Sequence, residues 1–179
     1  MSKERNIYPA RTNQKLYLAR IQLELMAQAL ADSAAFDSEP RAMSCREAAI
    51  WHLSAGLGAF FQELSRFYKV QPAVSTPEDM AAAMARRGQS SPEAQILLQL
   101  LENASSWLSQ LRRLEAACHQ PVALPDLAVE ADSPARIAIP VVMTEADAPL
   151  SASDRAQLDQ IHRALTQAIR DFRAELVEF

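Results

Sequence analysis

The side chains whose types and spacing could hold a metal ion form two short pairs. Asp159 and His162 are three residues apart near the end of the chain, and Glu115 and His119 are four residues apart in its middle. Di-iron helical bundles need Glu-x-x-His on two helices and further glutamates that face inward, and neither pair fits that pattern. Other candidate carboxylates lie off the apolar faces of their predicted helices, as surface acids usually do: Glu24, Glu63 and Glu102. We therefore predict neither a metal site nor a bound cofactor.

Nucleophilic catalysis has one cysteine candidate. Cys118 stands next to His119, but neighbouring residues of a helix point about 100° apart, so the two cannot form a thiolate–imidazole pair. The chain also has no Gly-x-Ser-x-Gly motif and no glycine-rich phosphate loop. The other cysteine, Cys45, belongs to no Cys-x-x-Cys motif. We predict two free thiols in a reducing compartment, with Cys118 buried and inert.

Arg46 and His52 are separated by five residues in the sequence. This spacing is similar to the Arg-x(4–6)-His motif of nucleotide-binding helical RNases of the toxin type, and the resemblance implies an RNase whose Arg–His pair acts at a dimer interface. In a straight helix, however, the two side chains point about 120° apart, and Glu47 stands where that family more often has a small polar amide or acid. A structural arginine, paired with a buried carboxylate or with a helix C-terminus, would explain the place of Arg46 on an apolar helix face. The RNase is the alternative enzymatic function.

Apolar residues at heptad spacing indicate the elements that would position these side chains. One stripe runs through the middle of the chain and a second through its end. Each places an apolar face along a helix, and such a helix must bury that face against partners to be stable. The middle stripe is Leu97, Ala104, Leu111 and Cys118, and the last stripe is Leu158, Leu165, Phe172 and Phe179.

Helical periodicity, capping residues and prolines together predict an all-α bundle of four long helices and one short helix. The long helices are predicted over residues 13–32, 41–70, 92–119 and from Ser153 to the C-terminus, and the short one over 78–87. The predicted N-caps are Thr12, Thr76 and Ser153. Residues 1–179 form a single domain in this interpretation, with residues 1–10 as a loose lead-in. Helix 41–70 is expected to pack on two sides.

Composition narrows the function further. The net charge of −4 and the pI near 5.4 do not suit a general nucleic-acid binder, which would carry a basic stripe or patch. No run of about 18 apolar residues is present, so the sequence predicts no membrane-spanning segment. The polar stretch 1–10 has no apolar core of a secretion signal, and we therefore predict a cytoplasmic protein.

Residues 120–150 are the least helical part of the sequence. They hold five prolines and one apolar, β-branched strip, residues 136–143, which contains Ile139 and Val141. Because Pro140 disfavours a central strand, we predict an extended, proline-rich segment that crosses the bundle before the last helix. A connection of this length is typical of a structural crossover or of a binding segment.

Four short segments resemble an uncharacterised family of small all-helical proteins from gamma-proteobacteria. They are residues 11–15, 46–53, 91–94 and 106–108, which read Arg-Thr-Asn-Gln-Lys, Arg-Glu-Ala-Ala-Ile-Trp-His-Leu, Ser-Pro-Glu-Ala and Ser-Trp-Leu. The closing residues 175–179 are also similar to that family's C-terminus. The resemblance spans nearly the whole chain and implies a cytoplasmic bacterial helical protein. It implies no activity, cofactor or catalytic residue.

Trp51 is the residue most open to functional interpretation. It stands on the secondary side of its predicted helix among small residues, so it either packs between helices or serves as an exposed anchor for a partner. The sequence favours a non-enzymatic interaction or adaptor protein that presents a helix face, or the 120–150 segment, to another protein. A homodimer through the Ala- and Gly-lined side of helix 41–70 is the structural alternative. The predicted partner-binding residues are Trp51, His52, Ile139 and Val141.

Overall fold

The computed structural model describes residues 7–32, 34–120 and 150–177, and all regular secondary structure in these ranges is helical. The helices are α1 (Ile7–Ala31), α2 (Ser38–Phe67), α3 (Pro77–Ala85), α4 (Pro92–Glu102), α5 (Trp107–Ala117) and α6 (Ala152–Val177). The predicted all-α class is confirmed for this part of the chain. Most of the predicted crossover, with Ile139 and Val141, lies outside the described residues. No helix within the described ranges has the length and apolar character needed to cross a membrane.

The central element of the bundle is α2. It packs against α1, α3, α5 and α6, which agrees with the predicted packing on two sides. Phe60 of α2 stacks on Phe172 of α6, with 5.8 Å between the ring centroids. Gly56 lets α1 approach closely, because a Cβ atom there would lie 3.4 Å from Leu16 Cδ2. Because α2 contacts four other helices, the way these helices pack on it determines which surfaces of the bundle stay exposed to solvent.

Helix α1 begins earlier than the sequence predicts. Residues 7–10, predicted as part of a loose lead-in, form its first residues. Thr12, the predicted N-cap, lies inside the helix, is fully buried and donates its hydroxyl to the Glu63 carboxylate on α2. The capping prediction was wrong because a threonine hydroxyl can serve a distant partner as well as a helix terminus. The buried face of α1 contains Leu16, Leu23 and Met26.

The middle heptad stripe belongs to two helices. The predicted single helix over 92–119 is wrong, because α4 ends at Glu102 and α5 begins at Trp107. Leu97 and Leu111 of the stripe are buried on either side of the break. Ala104, in the turn, is exposed, and Cys118 is half-buried. The apolar spacing therefore identified two of the four stripe positions as buried and missed the turn between them.

Short polar side chains cause this break. The Ser106 hydroxyl accepts a hydrogen bond from Ser109 N at 3.1 Å and donates to Leu100 O at 2.6 Å. Asn103 has an extended backbone, and its Oδ1 accepts a bond from Ser105 N at 2.9 Å. These bonds replace the backbone bonds of a continuous helix, so the chain can turn without leaving polar groups unsatisfied.

The start of α3 agrees with the sequence prediction, whereas the start of α6 does not. Thr76 accepts a hydrogen bond from Asp79 N at 3.1 Å, and Pro77 is the first residue of α3. Helix α6 begins at Ala152, before the predicted cap Ser153. There Ser151 N donates to the Asp154 carboxylate at 2.9 Å, so the acid satisfies the backbone N–H ahead of the helix.

Candidate functional site

Trp51 projects from α2 into solvent and is 57% exposed. Its indole meets the imidazole of His119 edge-on, with 6.3 Å between the ring centroids and 75° between the planes. The interpretation that Trp51 packs between helices is therefore wrong. The exposed position is the one that a partner-binding anchor requires.

A cleft of about 410 Å³ opens beside Trp51, between α2, α5 and the residues that lead into α3. Its floor is formed by three buried leucines, Leu57, Leu108 and Leu111. Small residues of α2, among them Ala55 and Gly58, line one wall. We call this surface the Trp51 cleft. Apolar residues line most of it, and polar side chains, among them Arg112 and Glu115, line the rest. Such a mixture is typical of protein sites that bind another molecule.

The walls of the Trp51 cleft are set by close packing and by one ion pair. A Cβ atom on Gly58 would lie 3.6 Å from Ser75 Cβ, which is an ordinary van der Waals distance. Arg112 of α5 bonds Glu78 of α3, with 2.9 Å between Nη2 and Oε2. Ser54 also lines the cleft, and its Oγ atom is buried without a hydrogen-bond partner among the described residues.

His52 does not line the Trp51 cleft. It faces α1, where burial lowers its pKa below the ordinary value and the charges of Lys15 and Arg11 lower it further. Within the part of the chain that the structure describes, its buried Nδ1 atom has no hydrogen-bond partner. Trp51 and His52, predicted as parts of one partner-binding site, therefore lie in different surroundings.

Arg46 lies near the start of α6 and the end of α5. Burial raises the pKa of Asp154, but hydrogen bonds from Ser151 and the charge of Arg46 outweigh it, so the net pKa is lowered. The charge of Arg46 also lowers the pKa of the Cys118 thiol, against the larger effect of burial. The charges that lower the pKa of His52 are instead those of Lys15 and Arg11 on α1. The structure thus gives Arg46 and His52, the pair of the RNase alternative, different neighbours.

Both cysteines are free thiols, as the sequence predicts. Burial raises the pKa of Cys45 and of Cys118 above the ordinary thiol value, which disfavours the reactive thiolate. Cys118 is half-buried and donates to Leu114 O at 3.3 Å, so its predicted full burial was wrong. Within the described ranges, no group of three or more His, Cys, Asp or Glu residues is placed to hold a metal ion.

Sequence comparison assigns the chain to a family. A family model described as a family of unknown function, DUF6586, matches residues 8–179. The chain belongs to this DUF6586 family. Comparison with curated proteins and with solved structures gives no significant match. The family assignment agrees with the resemblance to an uncharacterised family, and it brings no activity or site residue with it.

Three of the segments that carried the family resemblance have structural roles in this DUF6586 chain. Thr12 and Asn13, in the first segment, hydrogen-bond to side chains of α2 and α6. Ser91 caps α4 through a 3.3 Å bond from Ala94 N, in the third segment. Ser106, in the fourth, caps α5. Only the second segment, which contains Trp51, brings an exposed aromatic side chain to a cleft.

Sequence reasoning missed most of the residues that build the Trp51 cleft. Leu108, Leu111 and Arg112 come from α5, which the sequence merged with α4. The polar run Asn103–Ser106, with its serine before Trp107, was the available signal of a new helix start.

Proposed function

We propose that this protein is a non-enzymatic interaction module of the bacterial cytoplasm, and that the Trp51 cleft binds an amphipathic helix of another protein. The exposed indole of Trp51 beside an apolar floor is the observation that carries the proposal. Tryptophan is the residue most enriched among interface positions that dominate binding energy. A helix-in-groove interaction supplies large apolar side chains at helical spacing, which matches a cleft floored by leucines.

Trp51→Ala tests the proposal directly. We expect the variant to keep its helical circular dichroism and to lose a stoichiometric partner in pull-downs from host lysate, read by mass spectrometry. Loss of a dominant anchor weakens binding by about 2 kcal/mol or more, which is roughly thirtyfold. Phe36→Ala is the matched control, because Phe36 is an aromatic residue outside the cleft that is even more exposed than Trp51. Equal capture by wild type and Trp51→Ala, or equal loss in both variants, would contradict the proposal.

A single-tryptophan variant shows where the captured partner binds. The chain has two tryptophans, so Trp107→Phe leaves Trp51 as the only indole reporter. Binding of the purified partner helix to the cleft should shift Trp51 emission to the blue. Light scattering of the protein alone separates a second copy of this chain from a different partner, because a dimer lost in Trp51→Ala would identify the occupant as the protein itself.

A further inference from the structure

A second cleft, of about 340 Å³, lies between α1 and α6 on a surface that the proposed function does not use. Arginines from both helices line it: Arg20, Arg170 and Arg173. We propose that this cleft, called here the arginine cleft, binds a small organic phosphate that carries an aromatic or apolar group.

Positive charge in the arginine cleft contrasts with the charge of the whole chain. The protein carries a net charge of −4, yet no carboxylate among the described residues lines this cleft. His162 also lines it and hydrogen-bonds through Nε2 to Leu16 O at 3.1 Å. A local excess of guanidinium groups in an acidic protein favours an anion at this position.

The three arginines differ in how far other groups neutralise the charge of the guanidinium or accept hydrogen bonds from it. Arg173 pairs with Glu63, at 2.7 Å between Nη2 and Oε1, so its charge is balanced. The ion pair of Arg20 with Glu24 is 3.7 Å long, and both side chains are more than half exposed, so this pair is weak. Arg170 makes no hydrogen bond or ion pair within the described residues and is exposed. Arg20 and Arg170 therefore retain positive charge for a ligand.

Arg173 adds fixed hydrogen-bond donors to these two charges. Its Nε, Nη1 and Nη2 atoms each donate one bond, to Glu63, Asn13 and Glu63 respectively. A guanidinium group has five N–H donors, so two remain on a side chain that is already held in place. Preorganised donors lose little entropy when they bind a phosphate oxygen.

The remaining surface of the cleft suits an apolar group next to the phosphate. Tyr17 lines the cleft and is 55% exposed, with the Arg20 guanidinium 5.2 Å from its ring centroid. Leu16 and Ile169 provide a buried apolar floor. A planar aromatic group can lie against the tyrosine ring while its phosphate reaches the arginines. This arrangement favours an organic phosphate over inorganic phosphate.

Isothermal titration of the full chain with phenyl phosphate tests the inference. At constant ionic strength we expect phenyl phosphate to bind more tightly than inorganic phosphate, and Arg170→Ala to weaken it by about tenfold or more, since a charge-assisted contact is lost. Arg163→Ala is the matched control, because it removes an exposed arginine two helical turns away, outside the arginine cleft. Arg163→Ala should bind as wild type does.

Amide chemical shifts provide a second readout that does not depend on a variant. Titration of the wild-type protein should move the signals of Tyr17, Arg20 and Thr166, which line the cleft. Several results would overturn the inference: no binding at millimolar phenyl phosphate, equal affinity for inorganic phosphate, equal weakening by Arg163→Ala, or shifts confined to other residues. None of these results bears on the Trp51 cleft, so the two proposals fail independently.

Discussion

The carboxylates of Glu63 on α2 and Glu93 on α4 are both largely buried from solvent, and different groups form hydrogen bonds with them. The Glu63 side chain is 9% exposed and receives two hydrogen bonds from Arg173 of α6, while Thr12 of α1 donates a third. Glu93 is 2% exposed and receives bonds from two hydroxyls, those of Tyr68 and Ser91. We call these groups the Glu63 cluster and the Glu93 cluster.

The two clusters differ in their donors, because a guanidinium cation bonds Glu63 and two neutral hydroxyls bond Glu93. The Glu63 cluster joins three helices through a two-point arginine–carboxylate pair, which fixes both distance and orientation. The Glu93 cluster joins the end of α2 to the first turn of α4, where the helix dipole also favours a negative charge. Loss of the cation should therefore harm the first cluster most, and loss of a hydroxyl should harm the second.

The largest effect is expected from Arg173→Ala. It leaves the Glu63 carboxylate buried without a cation, and we expect a loss of about 3 kcal/mol in the free energy of unfolding. Urea denaturation followed by circular dichroism measures it. Arg41→Ala is the control, because its ion pairs with Asp32 and Asp37 are long, at 3.9 and 3.7 Å, and exposed. That variant should lose at most about 0.5 kcal/mol, and similar losses in both variants would show that the Glu63 pair contributes no more than a surface pair.

Tyr68→Phe is expected to have a smaller effect. It removes the phenol that donates to both Glu93 oxygens, at 3.1 and 3.0 Å, and leaves Ser91 as the remaining donor. Loss of a hydrogen bond to a buried charged group should cost about 1.5–3 kcal/mol in urea denaturation. Tyr17→Phe is the matched control, since Tyr17 is 55% exposed, and should change stability by less than about 0.5 kcal/mol. A Tyr68→Phe protein as stable as wild type would mean that Ser91 and the helix terminus suffice for Glu93.

Alkaline titration sharpens the comparison further. Burial and the neighbouring Glu93 raise the pKa of Tyr68 from 10.0 to about 12, despite an opposing bond with Ser91. Because the folded protein holds this proton more tightly than the unfolded chain, the stabilisation is complete below pH 10 and is lost as the pH rises towards 12. The stability difference between wild type and Tyr68→Phe should therefore shrink across this window in urea titrations. A difference that stays constant from pH 9 to pH 12 would contradict the raised pKa.

The two clusters also show where sequence reasoning reaches its limit. The caps of α3 were predictable because Thr76 and Asp79 are three residues apart. Glu63 was predicted to be a surface acid, which is wrong, because its partner Arg173 is 110 residues away in the sequence. Helical periodicity identifies the face of each helix, but it does not tell which distant side chain covers that face.

The Trp51 cleft and the α4–α5 break illustrate the same limit at shorter range. The heptad stripe continues through Ala104, so periodicity alone favoured one helix, while the competing bonds of Asn103 and Ser106 ended α4 and restarted the chain as α5. The exposure of Trp51 then depends on where α5 lies against α2. Apolar positions were thus predictable from the sequence, and the surface left open between helices was not.

Added salt is expected to change stability least, and it compares the Glu63 and Glu93 clusters most selectively. At about 1 M NaCl the Debye length falls to about 3 Å, which screens exposed charges and leaves buried pairs largely intact. The Arg173→Ala loss should therefore fall by less than about 0.5 kcal/mol, because Arg173 is only 27% exposed and Glu63 9%. The Tyr68→Phe loss should not change, since its phenol carries no charge near neutral pH. If salt removed most of the Arg173→Ala loss, Arg173 and Glu63 would attract each other mainly through solvent. The Glu63 and Glu93 clusters would then differ only in their charge at the protein surface.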